Sequence, residues 1–483
     1  MPRRPLDLPL ALPPLRRDDG VPLAVQVAAA LRDAILAGRL PAHSRLPSTR
    51  QLAAQLAVGR NTVLAAYEQL LAEGFAIARG GSGTVVAPLP APAETTAPAA
   101  RPLSKRVALL MAVETPRGRG WGETLAPGVP DTTHFPWPEW SRLLARRWRR
   151  PGPDLLVPDN AAGHGALRVA IAQWLGRSRG LRCTPQQVMI VSGSQQALDL
   201  SARVLLDPGD TVLIEDPCYP GLKGVLRAAG AQVAAVTVDK DGFDVATAAR
   251  DWPQARLAWV TPSHQYPTGV TMTLARRLAL VEWAWRHQGW IVEDDYDADF
   301  RHAGPPLAAL QGLDGDHRTI HLGTFSKSMF PGLRLGWLVL PADLMAPFMA
   351  ARRLADMAPP SLTQAAMADF MAEGLFARHL RRMRALYAAR HALFLHACNR
   401  HLAPFGTVAP AEAGLHSVLW LTPGSDDRAA AARAQTAGFA CPALSEYRAH
   451  PGPPGLVLGW GNIAEERLEA VVKRLAQALA CAC

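Results

Sequence analysis

From Leu23 to Gly38, apolar residues recur at helical spacing at Val27, Leu31, Ala34 and Ile35, and Gly38 suits the position just past a helix end. A second helix is predicted to open at "PSTRQLAAQL", where Ser48 and Gln51 have the spacing of an S-x-x-Q capping box, and to end near residues 57–59. A third follows in "RNTVLAAYEQLLAEG", with Val63, Tyr67, Leu70 and Leu71 on its buried stripe and Gly74 as its stop. The next stretch, "FAIARGGSGTVVA", reads as two short strands around Gly80, Gly81 and Gly83, a wing that carries Arg79. Two short helices, a tight turn and a wing describe a winged helix-turn-helix.

Beyond about Trp121 the pattern changes to apolar strands alternating with helical stretches. The strands are "QVMIVSG", "DTVLIEDP", "AQVAAVTVD", "ARLAWVTPS", "GWIVEDDYD", "TIHLGTFSK" and "LRLGWLVLP". Such near-continuous apolar runs predict a mostly parallel sheet covered on both faces, an α/β domain. Between the two patterned regions lies "APLPAPAETTAPAARP", a Pro/Ala/Thr stretch that cannot bury a core and reads as a semi-rigid, largely extended spacer. The division expected is a tail at 1–20, a small domain at 21–88, a linker at 89–120 and a large domain at 121–483. No internal repeat is visible.

Composition adds little. A formal charge of +10 favours polyanionic partners without naming a function. The six cysteines show no CxxC pair and no histidine at ligand spacing, so neither a disulfide framework nor a metal site is indicated. Asp7 and repeated prolines interrupt any signal-peptide core, and no run of about 18 apolar residues is present, so a cytoplasmic protein is expected.

Candidate chemistry falls where strands end, the place where parallel sheets bind ligands. Only Lys105, Lys223, Lys240, Lys327 and Lys473 are lysines in a chain that otherwise uses arginine. Lys327 stands in "GTFSKSMFPGLRLG", flanked by hydroxyls, with Arg334 seven residues on. That is where a ligand with a carbonyl and a phosphate would be held, and pyridoxal 5'-phosphate is such a ligand. Lys327 would form the Schiff base, a task for an amine of lowered pKa in a partly dry pocket. Asp294, with Asp295 as the fallback, would keep the ring nitrogen protonated, and Tyr296 would donate to the ring oxygen. Ser194 and Gln195 in "SGSQQAL" would offer amides at a helix N-terminus to the phosphate, with Thr324, Ser326 and Arg334 completing the cradle. Tyr219 in "EDPCYPG" would lie against the ring. In the small domain, Arg60, Asn61 and Thr62 at the start of the third helix would reach bases or phosphates of double-stranded DNA. Arg45, Ser48, Arg50 and Arg79 are the candidates for backbone contacts.

These motifs carry a resemblance. "GRLPAHSRLPSTRQLAAQLAVGRNTVLAAYEQLLAEGFAIARGGSGTVV" resembles the GntR family of bacterial regulators, apart from Gly59, where that family commonly has serine. "SGSQQALDL", "TPSHQYPTG", "VEDDYDADFR", "GTFSKSMFPGLRLG" and "EAGLHSVLWL" resemble fold type I aminotransferases. The two in this order are similar to MocR-type regulators over nearly the whole chain. The resemblance implies a transcription regulator that binds pyridoxal phosphate on Lys327 and pairs into a head-to-tail homodimer through the large domain. It also implies DNA-binding domains crossed onto partner subunits and a response to the cofactor or to an amine or amino-acid effector.

Two departures from the enzyme pattern count against efficient transamination. Tyr266 in "QYPTG" stands where the enzymes place asparagine, and "PPGLVLGWGNI" lacks the arginine that takes the substrate carboxylate. Arg448 and His416 are the candidate substitutes. A working aminotransferase with a DNA-binding appendage is the alternative reading.

Overall fold

The computed structural model describes residues 12–18, 20–79, 83–89, 104–111, 123–157, 160–302, 304–315 and 317–480. Gly80 and Gly81 of the expected wing, most of the linker, and Cys481 and Cys483 lie outside these residues. The chain divides into two compact units on either side of the Leu103–Ser104 bond.

In the small unit, helices α1 (Leu23–Leu36), α2 (Thr49–Gln55) and α3 (Arg60–Ala72) precede strands β1 (Ala76–Arg79) and β2 (Gly83–Val86). The capping box forms at the start of α2: Gln51 N–H donates to Ser48 Oγ, and Ser48 N–H donates back to Gln51 Oε1. Val27, Leu31, Ile35, Leu52, Val63, Tyr67 and Leu70 make the core, while Leu71 sits at its margin. Tyr67 anchors the entry to α2 by donating its hydroxyl to Pro47 O at 2.7 Å. The wing pairs antiparallel from Ala76↔Val86 to Arg79↔Gly83.

Part of the expected tail belongs to this unit. Leu12 and Leu15 pack against its core, and Gln26 bonds both the N–H and the C=O of Arg16, at 2.8 and 2.7 Å. Two apolar residues and one amide suffice to dock a segment whose prolines suggested none. The expected extended spacer likewise contains a helix, Lys105–Met111, which lies against helix Pro220–Ala228. "KRVALLM" is rich in helix-forming residues, although Leu110 and Met111 stay exposed.

The large unit is built on an eight-stranded sheet. In chain order its strands are β3 (Val188–Val191), β4 (Thr211–Asp216), β5 (Gln232–Asp239), β6 (Gly242–Phe243), β7 (Leu257–Val260), β8 (Trp290–Asp295), β9 (Thr319–Thr324) and β10 (Gly336–Val339). Across the sheet the order is β3-β10-β9-β8-β7-β4-β5-β6. Pairings are parallel from β9 through β8, β7 and β4 to β5, whereas β10 runs against both β3 and β9. Alternate residues of β3 enter different cores, Val188 and Ile190 one, Met189 and Val191 the other, so both faces are covered.

After the long helix Leu375–His401 comes a three-stranded antiparallel sheet, β11 (Gly406–Val408), β12 (His416–Leu421) and β13 (Gly455–Gly459). Residues 124–127 pass the end of β13, with Gly459 N–H donating to Leu125 O at 2.8 Å. A Cβ on Gly459 would lie 1.9 Å from Ala126 O, so only glycine admits this approach.

Candidate cofactor site and nucleic-acid interface

Lys327 follows β9 at the edge where the parallel strands end. Its Nζ donates to Gly128 O at 2.7 Å, a partner the sequence did not suggest. Burial lowers its pKa to about 8, against the opposing pull of Asp297 and Asp294. A buried ammonium loses hydration, so the neutral, nucleophilic amine becomes accessible near neutral pH.

The two aspartates at the end of β8 differ in their partners. Asp295 accepts from Arg179 Nε and Nη2 at 2.8 and 2.9 Å and lies 3.2 Å from His321 Nε2. Burial alone would raise its carboxyl, but Arg179 and His321 hold it well below the usual range. Asp294 has no such support. Its Oδ1 is buried without a hydrogen-bond partner, and burial, with the charges of Asp295 and Glu215, raises its pKa to about 7. Such an oxygen is costly unless a donor arrives. A protonated ring nitrogen is a donor of the required kind, so the surroundings of Asp294 fit such a cofactor.

The phosphate end fits as well. Gly193, at φ 85, caps helix Ser194–Leu205, and the Arg334 guanidinium packs on it so closely that a Cβ there would meet Nη2 at 3.1 Å. Arg334 itself adopts φ 52 and donates to Ser192 O at 2.9 Å. A cation thus faces the positive end of a helix at Ser194 and Gln195, an arrangement that an anion stabilises. The buried hydroxyls of Thr324 and Ser326 are bonded to each other at 3.0 Å. Strand β10 brings the halves together, because Gly336 pairs with Val191 of β3 on one side and Thr324 of β9 on the other.

Tyr219 is 40% exposed and meets Tyr266 edge-on at 6.0 Å. Tyr296 is edge-on to Tyr266 at 5.7 Å, and its hydroxyl lies 2.9 Å from His264 Nδ1. Several polar residues around these were not singled out from sequence. Glu215, raised to about 7 by burial, accepts from Thr261 N–H and from Gln265 Nε2, each at 3.1 Å. His264, Asp297 and His416 come within 4.8 Å of one another, a cluster of potential ligand atoms that the cysteine-based reading could not foresee. Of the suggested carboxylate substitutes, His416 is held neutral by burial, with the positive charge of Lys327 nearby acting in the same direction. Arg448 is half-buried, with the charges of Asp216 and Asp427 nearby. β13 itself reads Gly455, Leu456, Val457, Leu458, Gly459, buried throughout and without an arginine.

In the small unit, Arg45, Arg50, Arg60, Asn61 and Arg79 are exposed. Arg60 Nε lies 3.4 Å from Thr49 Oγ1, tying the N-terminus of α3 to that of α2. Thr62 is half-buried. Arg45 lies along the wing, its Nη2 3.1 Å from where a Cβ of Gly83 would be. The Ser48 hydroxyl is engaged by Gln51, so the cap occupies it. Arg17 donates to Ala57 O at 2.9 Å in the turn before α3, a basic residue that the tail assignment passed over.

The two units together define a class, a DNA-binding regulator whose larger part is an aminotransferase fold. Residues 23–86 match the "Bacterial regulatory proteins, gntR family" and residues 128–475 match "Aminotransferase class I and II". The "Probable rhizopine catabolism regulatory protein MocR" of Rhizobium meliloti is 42% identical over 471 residues, covering 96% of this chain and 95% of that protein. The "HTH-type pyridoxine biosynthesis transcriptional regulator PdxR" of Corynebacterium glutamicum is 30% identical, covering 98% and 99%. Among solved structures, the alpha-aminoadipate aminotransferase LysN of Thermus thermophilus, complexed with N-(5'-phosphopyridoxyl)-L-leucine, aligns at TM-score 0.72. It is 28% identical, over 78% of this chain and 97% of that one. The chain belongs to the MocR-type transcription regulators of the GntR family, with a large unit from the pyridoxal phosphate-dependent aminotransferase class. No helix among the described residues is long and apolar enough to cross a membrane.

Proposed function

We propose that the large unit holds pyridoxal 5'-phosphate at Lys327 and uses it to sense a small molecule, while the winged helix carries the response to an operator in double-stranded DNA. The observation that carries this reading is the unpartnered, buried Oδ1 of Asp294. When bound, the cofactor supplies an aldehyde for amines and an electron-withdrawing ring. Lys327, its amine readied by burial, would hold the aldehyde carbon. Asp294 would hold a proton on the ring nitrogen, Tyr296 would donate to the ring oxygen, and Tyr219 would cover the ring. The amides of Ser194 and Gln195, with Thr324, Ser326 and Arg334, would bind the phosphate. Arg60, Asn61 and Thr62 would enter the major groove, with Arg45, Arg50 and Arg79 on phosphates. Two copies in the cytoplasm would pair head to tail through the large units, with small units crossed onto the partner subunit.

The pocket chemistry bears on the effector. With β13 lacking an arginine and His416 neutral, Arg448 is the one suggested cation left for an α-carboxylate, and the charges of Asp216 and Asp427 already compete for it. The effector is then the cofactor itself or an amine without that carboxylate. A working aminotransferase would complete half-reactions with amino acids, and the same lack of an uncommitted cation opposes it.

The test is binding of the purified protein to the intergenic DNA beside its own gene, by anisotropy at fixed salt, with and without pyridoxal phosphate. A cofactor-dependent change in affinity that Lys327→Ala abolishes supports the reading. A response that survives Lys327→Ala overturns it. Specific binding indifferent to the cofactor rules out the cofactor as effector and turns the screen to amines.

A further inference from the structure

We infer that His264 is a positioning residue for Tyr296, fixing its phenol as a hydrogen-bond donor toward the cofactor. This rests on the cofactor reading above. His264 lies in "TPSHQYPTG" just after β7 and is 2% exposed. Its Nδ1 is 3.0 and 3.2 Å from the two Asp297 carboxylate oxygens and 2.9 Å from Tyr296 Oη. Carboxylate oxygens accept, so the hydrogen in this contact sits on Nδ1. That N–H also faces the phenol oxygen. Tyr296 therefore accepts from His264, and its own hydrogen must point to another acceptor.

The opposite tautomer fails on two counts. It would set a nitrogen lone pair against the carboxylate, and it would leave an N–H at Nε2, where no hydrogen-bond partner exists among the described residues. A buried N–H without a partner is the rarer and costlier defect. The ring cannot turn to escape. Gly414 packs so tightly that a Cβ there would stand 2.1 Å from His264 Cε1 and 2.6 Å from Nδ1. On the other side, the His416 ring is 5.1 Å away and neutral. Burial, with the nearby charges of Asp297, Asp294 and Glu215, also keeps the Tyr296 phenol protonated, as a donor must be.

The test loads the wild type, His264→Asn, His264→Phe, Tyr296→Phe and the double variant His264→Phe/Tyr296→Phe with pyridoxal phosphate, and titrates the visible absorption against pH. A phenol donating to the ring oxygen withdraws negative charge beside the cationic nitrogen at Lys327. Losing that donor raises the pH midpoint, by about one unit for one hydrogen bond. Tyr296→Phe and His264→Phe should both raise it, and the double variant should go no further than Tyr296→Phe. His264→Asn, whose side-chain N–H can replace Nδ1–H, should stay near the wild type. An unchanged midpoint in His264→Phe, or additive shifts in the double variant, would overturn the inference. If His264→Phe does not fold, His264→Gln takes its place, since its amide cannot reach the Nδ1 position. Absence of the visible band in the wild type would refute the cofactor reading itself, which separates the two failures.

Discussion

Replacing Asp294 with asparagine should make the cofactor-free protein more stable at alkaline pH while spoiling its site. Burial raises the carboxyl from 3.8 to about 7. The folded protein keeps this proton up to about pH 7, whereas the unfolded chain releases it near pH 3.8. Across that window the folded state binds more protons, so stability falls as pH rises. Roughly three pH units at about 1.4 kcal/mol each set a ceiling of about 4 kcal/mol, of which about 2 to 3 kcal/mol accrue between pH 5 and pH 8. An asparagine would bring its own buried amide, at a cost of roughly 1 to 3 kcal/mol that does not depend on pH. The decisive quantity is therefore the difference between variant and wild type at pH 8 minus that at pH 5. Urea unfolding followed by tryptophan fluorescence measures it for the large unit alone, because all 13 tryptophans lie at or beyond Trp121. The expected value is about 2 to 3 kcal/mol in favour of Asp294→Asn, shrinking in the wild type once pyridoxal phosphate supplies a donor. A difference equal at both pH values would mean that the carboxylate is not in a dry setting, and the case for a ring-nitrogen partner would fall.

Other outcomes follow from the same geometry. Lys327→Ala should lose the visible absorption of the loaded protein, and a persistent band would point to another lysine. Gly193→Ala imposes a side chain at φ 85 and pushes on the Arg334 guanidinium, so cofactor retention measured by dialysis should weaken by about tenfold or more. Arg60→Ala should weaken operator binding at matched salt by roughly 1 to 3 kcal/mol if its contact is a bidentate one to a base, and unchanged anisotropy would remove Arg60 from the interface.

The sheet was legible because most of its strands are buried on both faces, a signal that needs no alternation to be read, while β5 towards its edge alternates and two-residue β6 gave no signal of its own. The reversed direction of β10 was not, since an apolar run carries no mark of its orientation. The capping box was explicit in Ser48 and Gln51, while the docking of residues 12–18 depends on Gln26 reaching back to the Arg16 backbone ten residues earlier, across a turn that the pattern did not mark. In the site, the motifs pointed to Lys327, Asp294 and Arg334, but they could not show how differently Asp294 and Asp295 are held: Arg179, the partner of Asp295, arrives from a helix 116 residues away. His264, Glu215 and the Gly128 carbonyl escaped notice for a related reason. A histidine in a loop, a glutamate in a strand and a backbone oxygen have no spacing to betray them, and only folding puts them beside one another.

The connection between β9 and β10 works as a ruler. Thr324 pairs with Gly336 across the ladder, and Phe325 N–H closes on Leu335 O at 3.0 Å, so residues 325–335 form a loop with fixed ends. Lys327 and Arg334 both belong to it. The separation between the amine and the guanidinium is therefore set by covalent length more than by the packing of distant helices. Substitutions inside that loop can change what is gripped, but only an insertion or deletion would alter the size of molecule that fits between the two cations.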